Sequence, residues 1–286
     1  MPENSLAALV RAAAQRLADA GVPDPLVDAE LLAGHVLGQR RGEVQAAIVR
    51  GDRASDDASA ALDELVTRRS AREPLQHITG TAPFRHLELA VGPGVFVPRP
   101  ETETVVQYAI DALLSAPEPA PIGVDLGTGS GAIALAMATE VPHARVFAAE
   151  LSPDAHAWAS RNSAGVENLT LVLSDLGEAF PELDGTASVV ISNPPYVPDA
   201  AIPRDPEVRL FDPAMALYGG EDGLDIVRVL STRALRLLRP GGLLVIEHGE
   251  LQGGSIRDLL TADGWRAAAT HRDLTLRDRT TTALRP

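Results

Sequence analysis

From Ile122 onward the chain alternates short apolar runs with helical segments, and that alternation leaves few folds open. The expected strands span 122–126, 145–149, 169–174, 188–192 and 242–247, followed by 266–270 and 280–284. Near-continuous apolar strands are buried on both faces, and helices between them are the connections that parallel strands require. A mostly parallel, seven-stranded, Rossmann-like α/β sheet follows. Ligands on such sheets bind beyond the carboxyl ends of the strands, where strand order reverses. The residues just past each strand are therefore the candidates for chemistry.

The first 80 residues read differently. Leu6, Leu9, Val10, Ala13 and Leu17 recur at helical spacing after a possible cap at Asn4 or Ser5, and Gly21 stops the helix. A second helix opens at Pro23-Asp24-Pro25 and ends near Gly38, a third covers about 43–49, and a fourth begins at Ser55 or Asp56. Arg68, Arg69 and Arg72 fall at the end of the fourth, where cations suit the helix dipole. Residues 1–80 are expected to form a small helical bundle whose role is packing or partner docking. Residues 81–100 are expected to be a linking β-hairpin, with 84–91 pairing to 95–97 across Gly92-Pro93-Gly94. Residues 101–286 are expected to form the sheet domain, opening on a helix from Pro100 or Glu101 to about Leu114.

Composition closes off several chemistries. There is no cysteine, which removes disulfides, thiolate metal sites and cysteine nucleophiles. All 25 basic residues are arginine, so neither a Schiff-base lysine nor a P-loop lysine exists. The seven histidines are scattered without metal-ligand spacing, and no metal site is expected. A formal charge of −14 argues against broad nucleic-acid binding. No run is long enough to span a membrane and the start lacks a signal peptide, so a cytoplasmic protein is expected, with monomer as the starting assumption.

After the strand 122–126 comes Gly127-Thr128-Gly129-Ser130-Gly131, opening a helix at Ala132. Glycines let backbone approach a ligand, and the helix start adds free N–H groups. The glycines alone also fit a dinucleotide fingerprint loosely. The fuller run, Asp125 to Gly131, resembles the first motif of class I methyltransferases that use S-adenosylmethionine. Glu150, ending the second strand, suits ribose hydroxyls in either reading. Asp175 and Leu176 follow the third strand, where such methyltransferases hold adenine; a turn cap is the plain alternative for Asp175.

The fourth strand decides between them. It ends in Asn193-Pro194-Pro195-Tyr196, where two prolines stop the sheet ladder and fix the backbone. An amide or amino NH2 placed there finds two acceptors, the Asn193 side-chain oxygen and the Pro194 carbonyl, with the flat face of Tyr196 alongside. Amino-methyltransferases place such a loop here; dinucleotide enzymes have no reason to. The loop selects a planar nitrogen and not one substrate: adenine N6, guanine N2 and glutamine amides all qualify.

A second set of residues narrows the choice. Pro74 to Gly80, Phe84, Phe96 to Glu103, Val189 to Tyr196 and Glu247-His248-Gly249 together resemble the HemK/PrmC family across nearly the whole chain. That resemblance implies a class I S-adenosylmethionine-dependent fold with an N-terminal helical domain. It also implies N5-methylation of the glutamine in the Gly-Gly-Gln motif of class I peptide chain release factors, with S-adenosylhomocysteine as product. On this reading Asn193, Pro194 and Tyr196 are catalytic, and Asn193, Pro194, Pro195 and Tyr196 hold the substrate amide. Gly127, Thr128, Gly129, Ser130, Gly131, Glu150, Asp175, Leu176 and Asn193 hold the cofactor. Phe96 would close the pocket or pack in the core, and Arg99 and Glu101 would brace the loop or sit solvated at a helix start. Three positions depart from the family pattern: Glu150 for the usual Asp, Leu176 for an aromatic, and Leu276 for a glycine. The alternatives are a nucleic-acid amino-methyltransferase and a non-catalytic S-adenosylmethionine-binding module.

Overall fold

A computed structural model describes residues 5–286, which divide into two compact units, each with its own core. One comprises the residues up to Thr81 together with Arg204–Phe211; the other comprises Ala82–Pro203 and Asp212–Pro286.

The first unit is helical: α1 (Leu6–Asp19), α2 (Pro25–Leu37), α3 (Arg41–Arg50), α4 (Asp56–Ser70) and a short α5 (Leu75–Thr79). The Ser5 hydroxyl accepts from Ala8 N at 3.2 Å and Ser55 does the same for Ala58 N at 3.1 Å, satisfying N–H groups that a helix start leaves open. Asn4, the other cap considered for α1, lies outside the described residues. Leu6, Val10, Ala13 and Leu17 form the buried stripe of α1, meeting Leu32, Val44, Leu62 and Val66.

A short helix, Pro206–Phe211 (α9 in chain order), also belongs to this unit, and the periodicity gave no hint of it. Its Glu207 accepts from Arg69 Nη1 at 2.7 Å and from Arg72 Nη2 at 2.5 Å, while Arg69 Nε reaches Asp28 at 2.7 Å. Arg69 and Arg72 thus act as buried ion-pair partners, where the sequence suggested cations answering a helix dipole.

The second unit begins at Ala82, within β1 (Thr81–Phe84), which pairs with β2 (Leu87–Ala90) in a two-stranded sheet. The expected pairing of 84–91 with 95–97 is not what forms. The turn falls at Arg85-His86, with Arg85 at φ +55° and its guanidinium held by Glu140 and Gln107. Pro93 and Pro98 flank residues 95–97 and cannot donate to a ladder. Val95 and Val97 instead bury beside Ala82, Val91 and Ala155.

The main sheet follows through α6 (Pro100–Leu114), β3 (Ile122–Leu126), α7 (Ala132–Glu140), β4 (Arg145–Glu150), α8 (Pro153–Asn162), β5 (Leu169–Leu173) and β6 (Ala187–Ser192). After α10 (Ala214–Leu217) and α11 (Asp225–Leu237) come β7 (Leu238–Glu247), α12 (Gly253–Ala262), β8 (Arg266–Arg272) and β9 (Asp278–Leu284). Strand order is β5-β4-β3-β6-β7-β9-β8, parallel except for β9, which runs antiparallel to both neighbours. All seven anticipated strands are present. Arg239 to Gly242, expected as a turn before β7, fall within its bounds, but pairing with β6 passes from Ala187–Leu238 to Val189–Leu243 and leaves these four residues out, with Gly241 at φ +73°.

Alternation sorts the strands onto two cores. Val189, Ile191 and Val245 join α6 and α7, whereas Val190, Leu244 and Ile246 join α11 and α12. Burial on both faces explains why these strands read as unbroken apolar runs. α7 is buried nearly all round, which accounts for its lack of a polar face.

Candidate active site

The sheet order puts the predicted residues along one edge. Asp175 follows β5, Glu150 ends β4, Gly127 to Gly131 follow β3, and Asn193 follows β6. Adjacent strands lie about 4.8 Å apart, so β5 to β6 spans roughly 14 Å, room for an extended ligand. The order reverses between β3 and β6, where α/β sheets bind ligands.

The cofactor loop is shaped by backbone demands. Gly127 and Gly129 sit at φ +80° and +59°, and a Cβ added at either would meet nothing within 4 Å. The glycines therefore serve backbone conformation and an open approach above the loop. Glu150 braces it, accepting from Gly129 N and Ser152 N at 2.8 Å each and keeping further lone pairs. Under the loop, Asp125 accepts from Thr128 Oγ1 at 2.5 Å and from Ala134 N at 3.2 Å, while its Oδ1 has no partner. Burial pushes the Asp125 carboxyl up to about 7, with those two hydrogen bonds opposing it. Asp175 Oδ1 accepts from Gly177 N at 2.7 Å, the capping role weighed against adenine binding, and Leu176 packs half-buried against the α11 side of the core. An open glycine loop at a helix start, flanked by an acid at the next strand end, fits a ligand with a ribose and a charged tail.

Asn193 to Tyr196 are held from several sides. Ser192 Oγ donates to Leu126 O at 2.5 Å, tying the end of β6 to β3. Gln252 Nε2 donates to Tyr196 O at 2.9 Å, and its Oε1 accepts from Gly249 N at 2.9 Å, clamping the loop to the turn after β7. Backbone passes so close behind that a Cβ on Gly219 would lie 2.4 Å from Pro195 O. Asn193 Nδ2 lies 3.5 Å from Thr102 Oγ1, in the first turn of α6. Burial and the nearby Glu247 push the Tyr196 phenol up to about 12, so it stays protonated at neutral pH. Arg99 stacks 4.9 Å over the Phe96 ring and pairs with Asp212 at 2.7 Å. Arg99, expected to brace the loop or to sit solvated at a helix start, is instead ion-paired to Asp212.

Sequence reading missed Gln252 and Gly219, and it took Thr102 and Glu247 only as parts of motifs. Glu247 is 2% exposed, at the end of β7 beside β6, and its Oε2 has no hydrogen-bond partner. The adjoining His248 is spoken for: Nε2 meets Thr281 Oγ1 at 2.9 Å, Nδ1 meets Gly249 O at 2.8 Å, and burial holds its pKa down.

Comparison with known proteins places this geometry. Residues 8–80 match the PrmC N-terminal domain and residues 124–204 match a methyltransferase domain. A release factor glutamine methyltransferase from Streptomyces coelicolor is 53% identical over 98% of this chain and 98% of its own. The chain belongs to the release factor glutamine methyltransferase family. Like that family, it is an S-adenosylmethionine-dependent methyltransferase. A further relative, a 4-amino-L-phenylalanine/4-methylamino-L-phenylalanine methyltransferase from Streptomyces pristinaespiralis, is 41% identical over 72% of this chain and 71% of its own. A methyltransferase structure from Pyrococcus furiosus aligns with a TM-score of 0.51 at 20% identity, covering 70% of this chain and 90% of its own, and supports the class I fold. Within this family the positive φ of Leu276, +66°, is informative. The turn keeps the left-handed backbone that glycine takes easily, with the leucine side chain 74% exposed. Among the described residues, no helix is long and apolar enough to cross a membrane.

Proposed function

We propose that this enzyme methylates the side-chain amide nitrogen of the glutamine in the Gly-Gly-Gln motif of class I peptide chain release factors. The observation that carries the reading is a rigid Asn193-Pro194-Pro195-Tyr196 loop beside the cofactor loop, in a chain alike over nearly its full length to release factor methyltransferases. The relative acting on an aromatic amine shows that a planar nitrogen can be presented in another setting. Its match covers less of the chain than the release factor relatives do.

S-adenosylmethionine supplies an electrophilic methyl group on a sulfonium. The protein's task is to present a poor nucleophile, because an amide nitrogen shares its lone pair with the carbonyl. Asn193 Oδ1 and the Pro194 carbonyl accept the two amide hydrogens, orient the nitrogen and favour positive charge on it as the N–C bond forms. Tyr196, kept neutral, packs against the amide plane. A strong base is not needed before transfer, since the methylated amide is acidic and sheds its proton readily. Gly127 to Gly131, Glu150, Asp175 and Leu176 hold the cofactor, with Glu150 offering its remaining lone pairs to ribose.

The test is methyl transfer from labelled S-adenosylmethionine to a class I release factor and to the same factor with its Gly-Gly-Gln glutamine changed to alanine. Label in the intact factor alone is expected. Label in neither, with incorporation into an aromatic amine or nucleic acid, would overturn the reading.

A further inference from the structure

The acceptor role of Asn193 depends on which end of its amide faces the substrate. The two ends are nearly alike in shape and opposite in function. Oδ1 accepts from a substrate NH2, whereas Nδ2 would present hydrogens to hydrogens. Something in the protein must choose.

We propose that Glu247, acting through Thr102, sets the direction of a hydrogen-bond chain that points Asn193 Oδ1 at the substrate. Ionised, a carboxylate can only accept. Ser192 of β6 pairs with Ile246 of β7, so Asn193 and Glu247 follow side by side, and the Thr102 and Asn193 side chains both favour the ionised form of the Glu247 carboxyl. A Thr102 hydroxyl that gives its only hydrogen to Glu247 has only lone pairs left for Asn193, whose Nδ2 lies 3.5 Å away. Nδ2 is drawn inward, and Oδ1 is left facing outward. Two of the three residues are deep, Glu247 at 2% exposed and Thr102 at 4%, while Asn193 is half-buried, and Glu247 Oε2 has no partner of its own. Fold stability alone does not favour such an acid, because an ion with an unpaired oxygen is costly to bury. The inference rests on the reading under Proposed function, and it makes Glu247 and Thr102 positioning residues.

The same arrangement gives the chain a pH dependence. Burial raises the Glu247 carboxyl to about 7; Thr102, Arg279 on β9 and Asn193 lower it, and Glu101 on α6 raises it. The phenol of Tyr196 also faces it and stays protonated well above that range. Once protonated, Glu247 becomes a donor, and the direction of the chain is no longer imposed. Turnover should therefore rise with pH through about 7. Asp125 titrates in the same range but lies under the cofactor loop, so its effect belongs to cofactor binding and persists when Glu247 is changed.

The variant to make is Glu247→Gln, which keeps the shape and carries a permanent donor, with Thr102→Val as a second lesion in the same chain. Expected for Glu247→Gln are a fall in kcat of roughly tenfold to a hundredfold, cofactor affinity within about twofold of wild type, and loss of the rise in kcat near pH 7. Thermal stability at pH 8 should rise, since a costly buried charge is gone; a residue needed only for folding would move it the other way. Thr102→Val should lower kcat with little change in cofactor affinity. A readout independent of any methyl acceptor is the side-chain amide resonance of Asn193 in nitrogen-15 spectra, assigned by its loss in Asn193→Ala. It should titrate near pH 7 in the wild type and stay flat in Glu247→Gln. Titration without methylation of a release factor would uphold the chain and reject the substrate. A resonance that does not titrate, or wild-type kcat in Glu247→Gln, would overturn the proposal.

Discussion

Two sets of buried charges divide the molecule. In the helical unit Arg69, Arg72, Asp28 and Glu207 are 7%, 16%, 12% and 10% exposed at their side chains, and every one is paired. Burial would raise the Glu207 carboxyl, but hydrogen bonds involving Asp205, Arg72 and Arg69 outweigh it and hold the group at about 2. In the methyltransferase unit Asp125 and Glu247 are equally deep, each leaves one oxygen unpartnered, and both are pushed up to about 7. Buried charge that serves the fold is neutralised by a partner; buried charge beside the cofactor and catalytic loops is left poised. The same low-dielectric surroundings that favour the first arrangement make the second costly.

The largest effect should come from breaking the paired set. Glu207→Gln leaves two guanidinium groups short of charge and should destabilise the helical unit by about 3 kcal/mol, less than a full orphan because Asp28 still holds Arg69. Denaturant unfolding followed by circular dichroism measures it. The depressed carboxyl of Glu207 stabilises the fold above its ordinary range and loses that contribution as pH falls toward about 2. The wild-type advantage over Glu207→Gln should therefore shrink on acidification.

Lesions at the catalytic edge should spare stability and strike function. Asn193→Ala should reduce turnover on the order of a hundredfold, about 2.7 kcal/mol in transition-state stabilisation, with cofactor affinity little changed. Near-normal turnover would reject the two-acceptor mechanism. Gly129→Val forces a β-branched residue to φ +59° and fills the approach above the loop; calorimetry should find cofactor binding abolished.

The poised set predicts the reverse sign of pH dependence. An acid whose pKa is raised on folding binds more protons in the native state, so stability falls as pH climbs from about 4 toward 7. Asp125→Asn should flatten that slope and add roughly 2 kcal/mol at pH 8. A variant less stable than wild type at pH 8 would blur the distinction between the two sets. The smallest effect concerns backbone alone: Leu276→Gly should relieve the left-handed strain at φ +66° and add about 1 kcal/mol, read from the melting temperature.

Much of this was legible from residue order. Helical and sheet periods located the four main helices of the bundle and the seven strands, because burial on one stripe or on both faces writes itself into local composition. Asn193-Pro194-Pro195-Tyr196 and the glycine loop announced themselves because both depend on backbone geometry that only certain neighbouring residues provide. The hairpin was misplaced because the turn at Arg85-His86 uses no glycine or proline. A long side chain anchored to Glu140 holds it instead.

What tertiary structure alone decided are the meetings across distance. Arg69 and Glu207 are 138 positions apart, and Asn193 and Thr102 are 91 apart. No period or motif connects such pairs. An arginine at a helix end, a threonine in a helix's first turn and a glutamate closing a strand each have an ordinary local explanation. Their partners are set by the sheet order and by the return of Arg204–Phe211 to the helical unit, which only the folded chain specifies.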